Sequence, residues 1–242
     1  MGIELSVIMQ NTLDLAQIVN LPVSLNDYFR HHADKIKVRM HHGYSGKLVE
    51  GSSNDWIWLP NVDPYWLDLT GGFDDKALWA WGWKPDRDEP FEQWFQTQLD
   101  IGHLYLKGPY GFDLYVGTPT LSLATDINWH HFLFDEIVQS DVRRFCSILS
   151  DFFGGQTVIY ISPDWPSSQD WFDTEHKCSY DQVLSWLRAQ EPPKALICEM
   201  IKTEYWRNRK VWAGQGYYVD DFASIAREPQ GNPDTMAHQG AV

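Results

Sequence analysis

Between residues 138 and 152 the apolar side chains Val138, Val142, Phe145, Leu149 and Phe152 recur at alternating steps of four and three. That spacing traces one stripe along a helix and predicts an amphipathic helix in the 136–153 region. Asp135 or Ser140 can cap its start, and Gly154-Gly155 can end it in the left-handed conformation that glycine adopts at little cost. Val158-Ile159-Tyr160-Ile161 follows at once and reads as a buried strand stopped by Pro163. A one-sided helix leading straight into a buried strand constrains the chain strongly, because the stripe must be covered and a sheet stands next to it.

The rest of the chain supplies further sheet and further helices. Ile3 to Met9 reads as an opening strand. Thr12 offers a cap for a short helix over Leu13, Leu15, Ile18 and Val19, which Leu21-Pro22 breaks, and Ser24 caps another before Leu25, Tyr28 and Phe29. Residues 35–40 alternate charged and apolar, as a strand with one wet face does. Phe91 to Leu99 is a short helix. Leu104-Tyr105-Leu106 and Leu114-Tyr115-Val116 are strands on either side of Gly108-Pro109-Tyr110-Gly111, and another lies within 121–134. Ser179 and Gln182 have capping-box spacing ahead of a helix that buries Val183, Leu184, Trp186 and Leu187 and closes at Pro192-Pro193. Gly216 to Val219 is the last strand. Strands and helices do not alternate strictly, so the expected fold is α+β, a mixed and largely antiparallel sheet with helices packed on one side. Residues 1–226 form one domain, with a subdivision near 135 as an alternative, and 227–242 read as a flexible tail.

Tryptophan is the unusual component. Seven of the 13 tryptophans fall in residues 54–95, in a window of nine acids and three bases. Trp56 and Trp58, and then Trp79, Trp81 and Trp83, stand at period two and so share a strand face. Packed under a helix such a ladder is core; exposed, it is a stacking platform for sugars or cations.

Charge narrows the functional classes. The formal net charge is −14, from 33 acids and 19 bases. A polyanion would be repelled, so nucleic acid is not expected; the short basic cluster Lys202, Arg207, Arg209 and Lys210 reads as a solvated helix face. Anionic membranes are disfavoured for the same reason, no apolar run is long enough to span a bilayer, and the first residues lack a signal-peptide pattern. Three scattered cysteines, Cys146, Cys178 and Cys198, form no metal or redox spacing and suggest reduced thiols in a cytoplasm.

Motifs for catalysis are sparse. The pairs His31-His32, His41-His42 and His130-His131 lack metal-ligand spacing, and no phosphate loop or nucleophile elbow occurs, so no metal or cofactor is expected. Cys146 and Cys198 read as small core residues. Cys178 stands at a helix start near Glu175 and His176, which would activate a thiol, although catalytic partners usually meet across a fold. The loop 163–173 carries Asp164, Trp165, Asp170, Trp171 and Asp173, the mix of acids and aromatics that anchors a basic protein partner. Asp74 and Asp75 extend the same surface.

In composition (small, acidic, aromatic-rich, without catalytic motifs) the chain resembles bacterial immunity proteins, which neutralise a toxin by occluding it. The resemblance implies a non-catalytic interaction domain for a basic partner. Two other readings are a hydrolase using His and carboxylates around 126–131 and 170–176, and a carbohydrate-binding module on the Trp ladder.

Overall fold

The computed structural model describes residues 4–32, 37–40, 44–48, 56–60, 65–68, 79–84, 89–101, 104–129, 132, 136–162, 178–190, 192–193 and 216–222. Strands β1 (Glu4–Gln10), β6 (Ala80–Trp81), β7 (Leu104–Lys107), β8 (Asp113–Val116), β9 (Thr120–Asn128), β10 (Thr157–Ile161) and β11 (Tyr217–Asp221) build one seven-stranded sheet in the order β11-β10-β1-β9-β8-β7-β6. Every described pairing is antiparallel. The fold is α+β, and strands from both sides of residue 135 share the sheet. Strands β2 (Lys37–Met40), β3 (Tyr44–Leu48), β4 (Trp56–Pro60) and β5 (Tyr65–Asp68) form two ribbons, with the β3–β4 pair lying in the chain between β2 and β5.

Alternation along the strands sorts the sheet into two faces. Leu5, Val7 and Met9 of β1 point one way with Val158 and Tyr160 of β10, and join the main core with Leu114, Val116, Leu121 and Leu123. Helices α1 (Leu15–Val19), α2 (Leu21–Arg30), α3 (Phe91–Ile101) and α4 (Glu136–Phe152) supply residues to this core, as does Val38 of β2. Ile8, Ile159, Ile161 and Tyr217 point the other way and are covered by Tyr180, Val183 and Leu187 of α5 (Tyr180–Gln190). Helices therefore pack on both faces, not one. The reason is local: β10 is apolar on both sides, and β11 sets Tyr218 on one side and Tyr217 and Val219 on the other, so neither side can be left in water.

Helix α4 ends as its glycines require. Gly154 has φ +76°, Gly155 N–H donates to Ser150 C=O at 2.8 Å and Gly154 N–H to Asp151 C=O at 3.0 Å, a Schellman closure. Ser140 lies inside α4 and caps nothing at its start; Asp135 lies outside the described residues. The expected capping box of α5 is present, with Ser179 N–H donating to Gln182 Oε1 at 2.8 Å and Gln182 N–H to Ser179 Oγ at 3.3 Å.

The first two helices depart from expectation. Asp14, not Thr12, caps α1, through its own reciprocal box with Gln17. Thr12 instead closes α4, its N–H and hydroxyl both donating to Phe153 C=O, at 3.0 and 2.9 Å. The first helix does end just ahead of Leu21-Pro22, at Asn20, and the proline then opens α2, where the N–H that it lacks would have had no partner anyway. Ser24 is inside α2, its hydroxyl turned back to Asn20 C=O at 3.1 Å. The 195–201 segment and the 227–242 tail lie outside the described residues.

Candidate functional site

Each surface residue singled out in the sequence, Asp74, Asp75, Asp164, Trp165, Asp170, Trp171 and Asp173, lies outside the described residues, as do His41, His42, His130, His131 and Cys198. The Trp ladder is described, and it packs on the core, with Trp79 inside it and Trp81 and Trp83 half-buried against it. Trp79 is fully buried, with its backbone held by a reciprocal pair of hydrogen bonds to the Asn26 amide of α2 at 3.0 and 3.1 Å. Trp81 sits edge-on to Phe95 of α3, and Trp83 edge-on to Phe91, with its indole N–H donating to Glu89 C=O at 3.0 Å. Trp94 and Trp129 are buried too. A stacking platform needs exposed indoles, and none of these three rungs projects freely.

His31 and His32 each bring Nδ1 to a carbonyl of α2, at 2.7 Å from Asp27 and 2.9 Å from Tyr28, and so finish the C-terminus of their own helix. Among the described residues no three His, Cys, Asp or Glu side chains gather as a metal ion would require. Cys146 is sealed in the core of α4, and burial pushes its thiol well above the usual range, so the nucleophilic thiolate does not form there. Cys178 is half-buried just ahead of α5, and its carbonyl accepts from the Thr120 hydroxyl at 3.1 Å.

One buried charge cluster joins α4 to the last strand. Arg143 grips Asp220 of β11 with both ends of its guanidinium, Nε to Oδ2 at 2.8 Å and Nη2 to Oδ1 at 2.6 Å. The guanidinium also stands 5.5 Å from the centre of the Tyr218 ring. Behind it runs an aromatic row, Tyr218 to Tyr160 to Phe132 to Trp129, with ring centres 5.9, 5.0 and 5.8 Å apart. The arrangement clamps β11 to α4. It offers no exposed reactive group: the Asp220 carboxylate is 1 % exposed and fully engaged by the arginine.

The described surface carries one line of unmatched apolar side chains. Leu15, Val19 and Val23 are 52, 43 and 64 % exposed and stand four residues apart across α1 and α2. On the same two helices Ile18, Leu21, Leu25 and Phe29 are buried, so each helix has one face in the core and one in water. Among the described residues none packs over these three side chains enough to bury them. Two are β-branched and disfavoured in a helix, and all three leave carbon in water.

Beside this ridge runs a second exposed row, Ala16, Asn20 and Ser24, also spaced by four. Its side chains are small and its polar groups are turned inward, the Asn20 amide donating to Ala16 C=O at 3.2 Å and the Ser24 hydroxyl to Asn20 C=O at 3.1 Å. Asp14 and Asp27 are exposed on the same stretch, Asp27 paired to Arg30 at 2.7 Å, and Asp151 on α4 accepts from Tyr28 of α2 at 3.0 Å. Sequence reasoning placed Leu15 and Val19 in a helix but did not separate their row from the buried one. The chain matches no protein-family model, no curated protein and no solved structure.

Proposed function

We propose that the chain is a non-catalytic, cytoplasmic protein-interaction domain that binds a basic protein partner, in the manner of an immunity protein occluding a toxin. The observation that carries this reading is the exposed ridge Leu15, Val19 and Val23 on a chain of formal net charge −14. Carbon left in water supplies the driving force for association, and surplus carboxylates select a cationic partner and speed its approach. The free thiols of Cys146 and Cys178 suit a reducing compartment. Among the described residues no helix is long and apolar enough to cross a membrane. The Trp-bearing loop 163–173 remains part of the proposal as a second contact.

The test is affinity purification of the tagged full chain from its native cell under gentle salt, followed by identification of whatever co-elutes in stoichiometric amount. A single basic protein, released by raising the salt, supports the reading. A chain that elutes alone, with monomeric light scattering in the same extract, overturns it.

A further inference from the structure

We infer that the fold carries a weak seam between α4 and β11, latched by Arg143 and Asp220, and that release of this latch brings the Cys146 thiol into solvent while the rest of the fold stands. The inference is independent of what the chain binds. Helix α4 lays two lines of side chains on the sheet. Val138, Val142, Phe145 and Leu149 form one, all carbon, and Phe145 meets Phe29 of α2 and Phe112 edge-on, with ring centres 6.0 and 5.3 Å away. Gln139, Arg143, Cys146 and Ser150 form the other, one step round the helix and again spaced by four and three. This second line is polar, yet Gln139, Cys146 and Ser150 are buried. Its counterparts on the sheet are Asp220, bound by Arg143 at 2.6 and 2.8 Å, and Tyr160, which lies beside Cys146. The β10–β11 register brings these together, with Tyr160 opposite Tyr218 and Val158 opposite Asp220.

The chemistry of the two lines makes the polar one easier to open. Parting carbon from carbon returns nothing when water enters. Along the seam, water rehydrates the Asp220 carboxylate and the hydroxyls of Tyr160 and Ser150, neither of which makes a hydrogen bond of good geometry among the described residues. A buried ion pair roughly breaks even against solvation of its two charges, so the latch orients β11 without adding much cohesion. The carbon line on the other flank keeps α4 on the sheet. Opening therefore moves β11 and leaves α4 in place, as a local unit with its own free energy. Cys146 is fully buried in the closed form and stands on the side that opens.

The experiment labels the full wild-type chain with N-ethylmaleimide over a series of urea concentrations, and peptide mass mapping reads Cys146 apart from the other two cysteines. Below the global transition, Cys146 is expected to react with a urea dependence clearly shallower than that of global unfolding, because the opening exposes only part of the surface. In hydrogen exchange the amides of Tyr217–Asp221 are expected to share that shallow slope. Arg143→Met strands Asp220 in the closed form alone, and is expected to speed Cys146 labelling at low urea on the order of a hundredfold. Val116→Ala trims a buried side chain on β8, four strands from β11, and is expected to lower the urea midpoint while leaving that low-urea rate unchanged. The inference fails if wild-type Cys146 reacts only with the full global slope, if Val116→Ala speeds it as much as Arg143→Met, or if the β11 amides exchange only on global unfolding.

Discussion

Asp220 lies where almost no water reaches it, and among the described residues Arg143 is the cation that matches its carboxylate. The two partners are not equivalent. The Arg143 side chain is 25 % exposed and can turn toward solvent if Asp220 is lost, whereas Asp220 cannot follow if Arg143 is lost. Removing the arginine therefore strands a buried carboxylate, a defect on the order of 3–5 kcal/mol for a fully buried pair and about 3 kcal/mol here given the partial exposure. Arg143→Met should lower stability in urea by about that much, Asp220→Asn by clearly less, and the double substitution Arg143→Met/Asp220→Leu should recover most of the loss. Equal losses for the two single variants, or a double variant no better than Arg143→Met alone, would show that the clamp is not organised by burial of the acid. None of this pairing is legible in the sequence, since the partners are 77 residues apart and Asp220 looks like any other of the 33 acids.

At the scale of elements, local chemistry was readable wherever a helix carries its own signal. The Ser179–Gln182 box sits where the spacing puts it, and it gives a direct prediction: Ser179→Ala should destabilise the chain by about 1 kcal/mol in denaturant melts, through loss of the bond from Gln182 N–H. The same variant should leave the main core untouched, since α5 packs on the opposite face of the sheet. No change in the melt would mean that α5 holds its start without the box. The helix–glycine–strand unit at 136–161 was legible for the same reason, its stripe and its glycines being local. The failures share one cause, a reading of punctuation without phase. Leu21-Pro22 does follow the end of α1, but it also opens α2, so Ser24 falls inside a helix and caps nothing. Leu15, Val19 and Val23 are left on the outer faces of these two helices while Ile18, Leu21, Leu25 and Phe29 are buried. The two-faced sheet was less accessible, because an apolar run such as Val158 to Ile161 says that both sides are covered without saying by which helix.

For the molecule as a whole, the most distributed feature is a set of tyrosines held from ionising. Tyr28 is pushed up to about 12 by burial and by its bond to Asp151, Tyr180 to about 12 chiefly by burial, and burial raises Tyr105 and Tyr160 further. They sit on four separate elements, α2, α5, β7 and β10. Each group has a folded value above the unfolded value of 10.0. Below pH 10 both states keep the phenol proton and the native state loses nothing from these groups. Above it the unfolded chain releases protons that the folded chain still holds, so stability must fall as pH rises from 10 through about 12. The added negative charge on a chain already at −14 acts in the same direction. Urea midpoints should be level from neutral pH to about 9, begin to fall there as the unfolded chain releases the Cys146 thiol proton that burial retains in the fold, and drop steeply above 10. The Tyr160 hydroxyl is buried beside Cys146 and Asp220 and the Tyr180 hydroxyl beside Thr157, and neither makes a hydrogen bond of good geometry among the described residues. Tyr160→Phe and Tyr180→Phe should consequently leave neutral stability unchanged or slightly raised, because a stranded polar group is exchanged for carbon of the same shape. Each should make the alkaline drop shallower by removing one of the protons that drives it. A drop as steep in the double phenylalanine variant as in wild type would place the alkaline sensitivity elsewhere, in general charge repulsion and not in buried phenols.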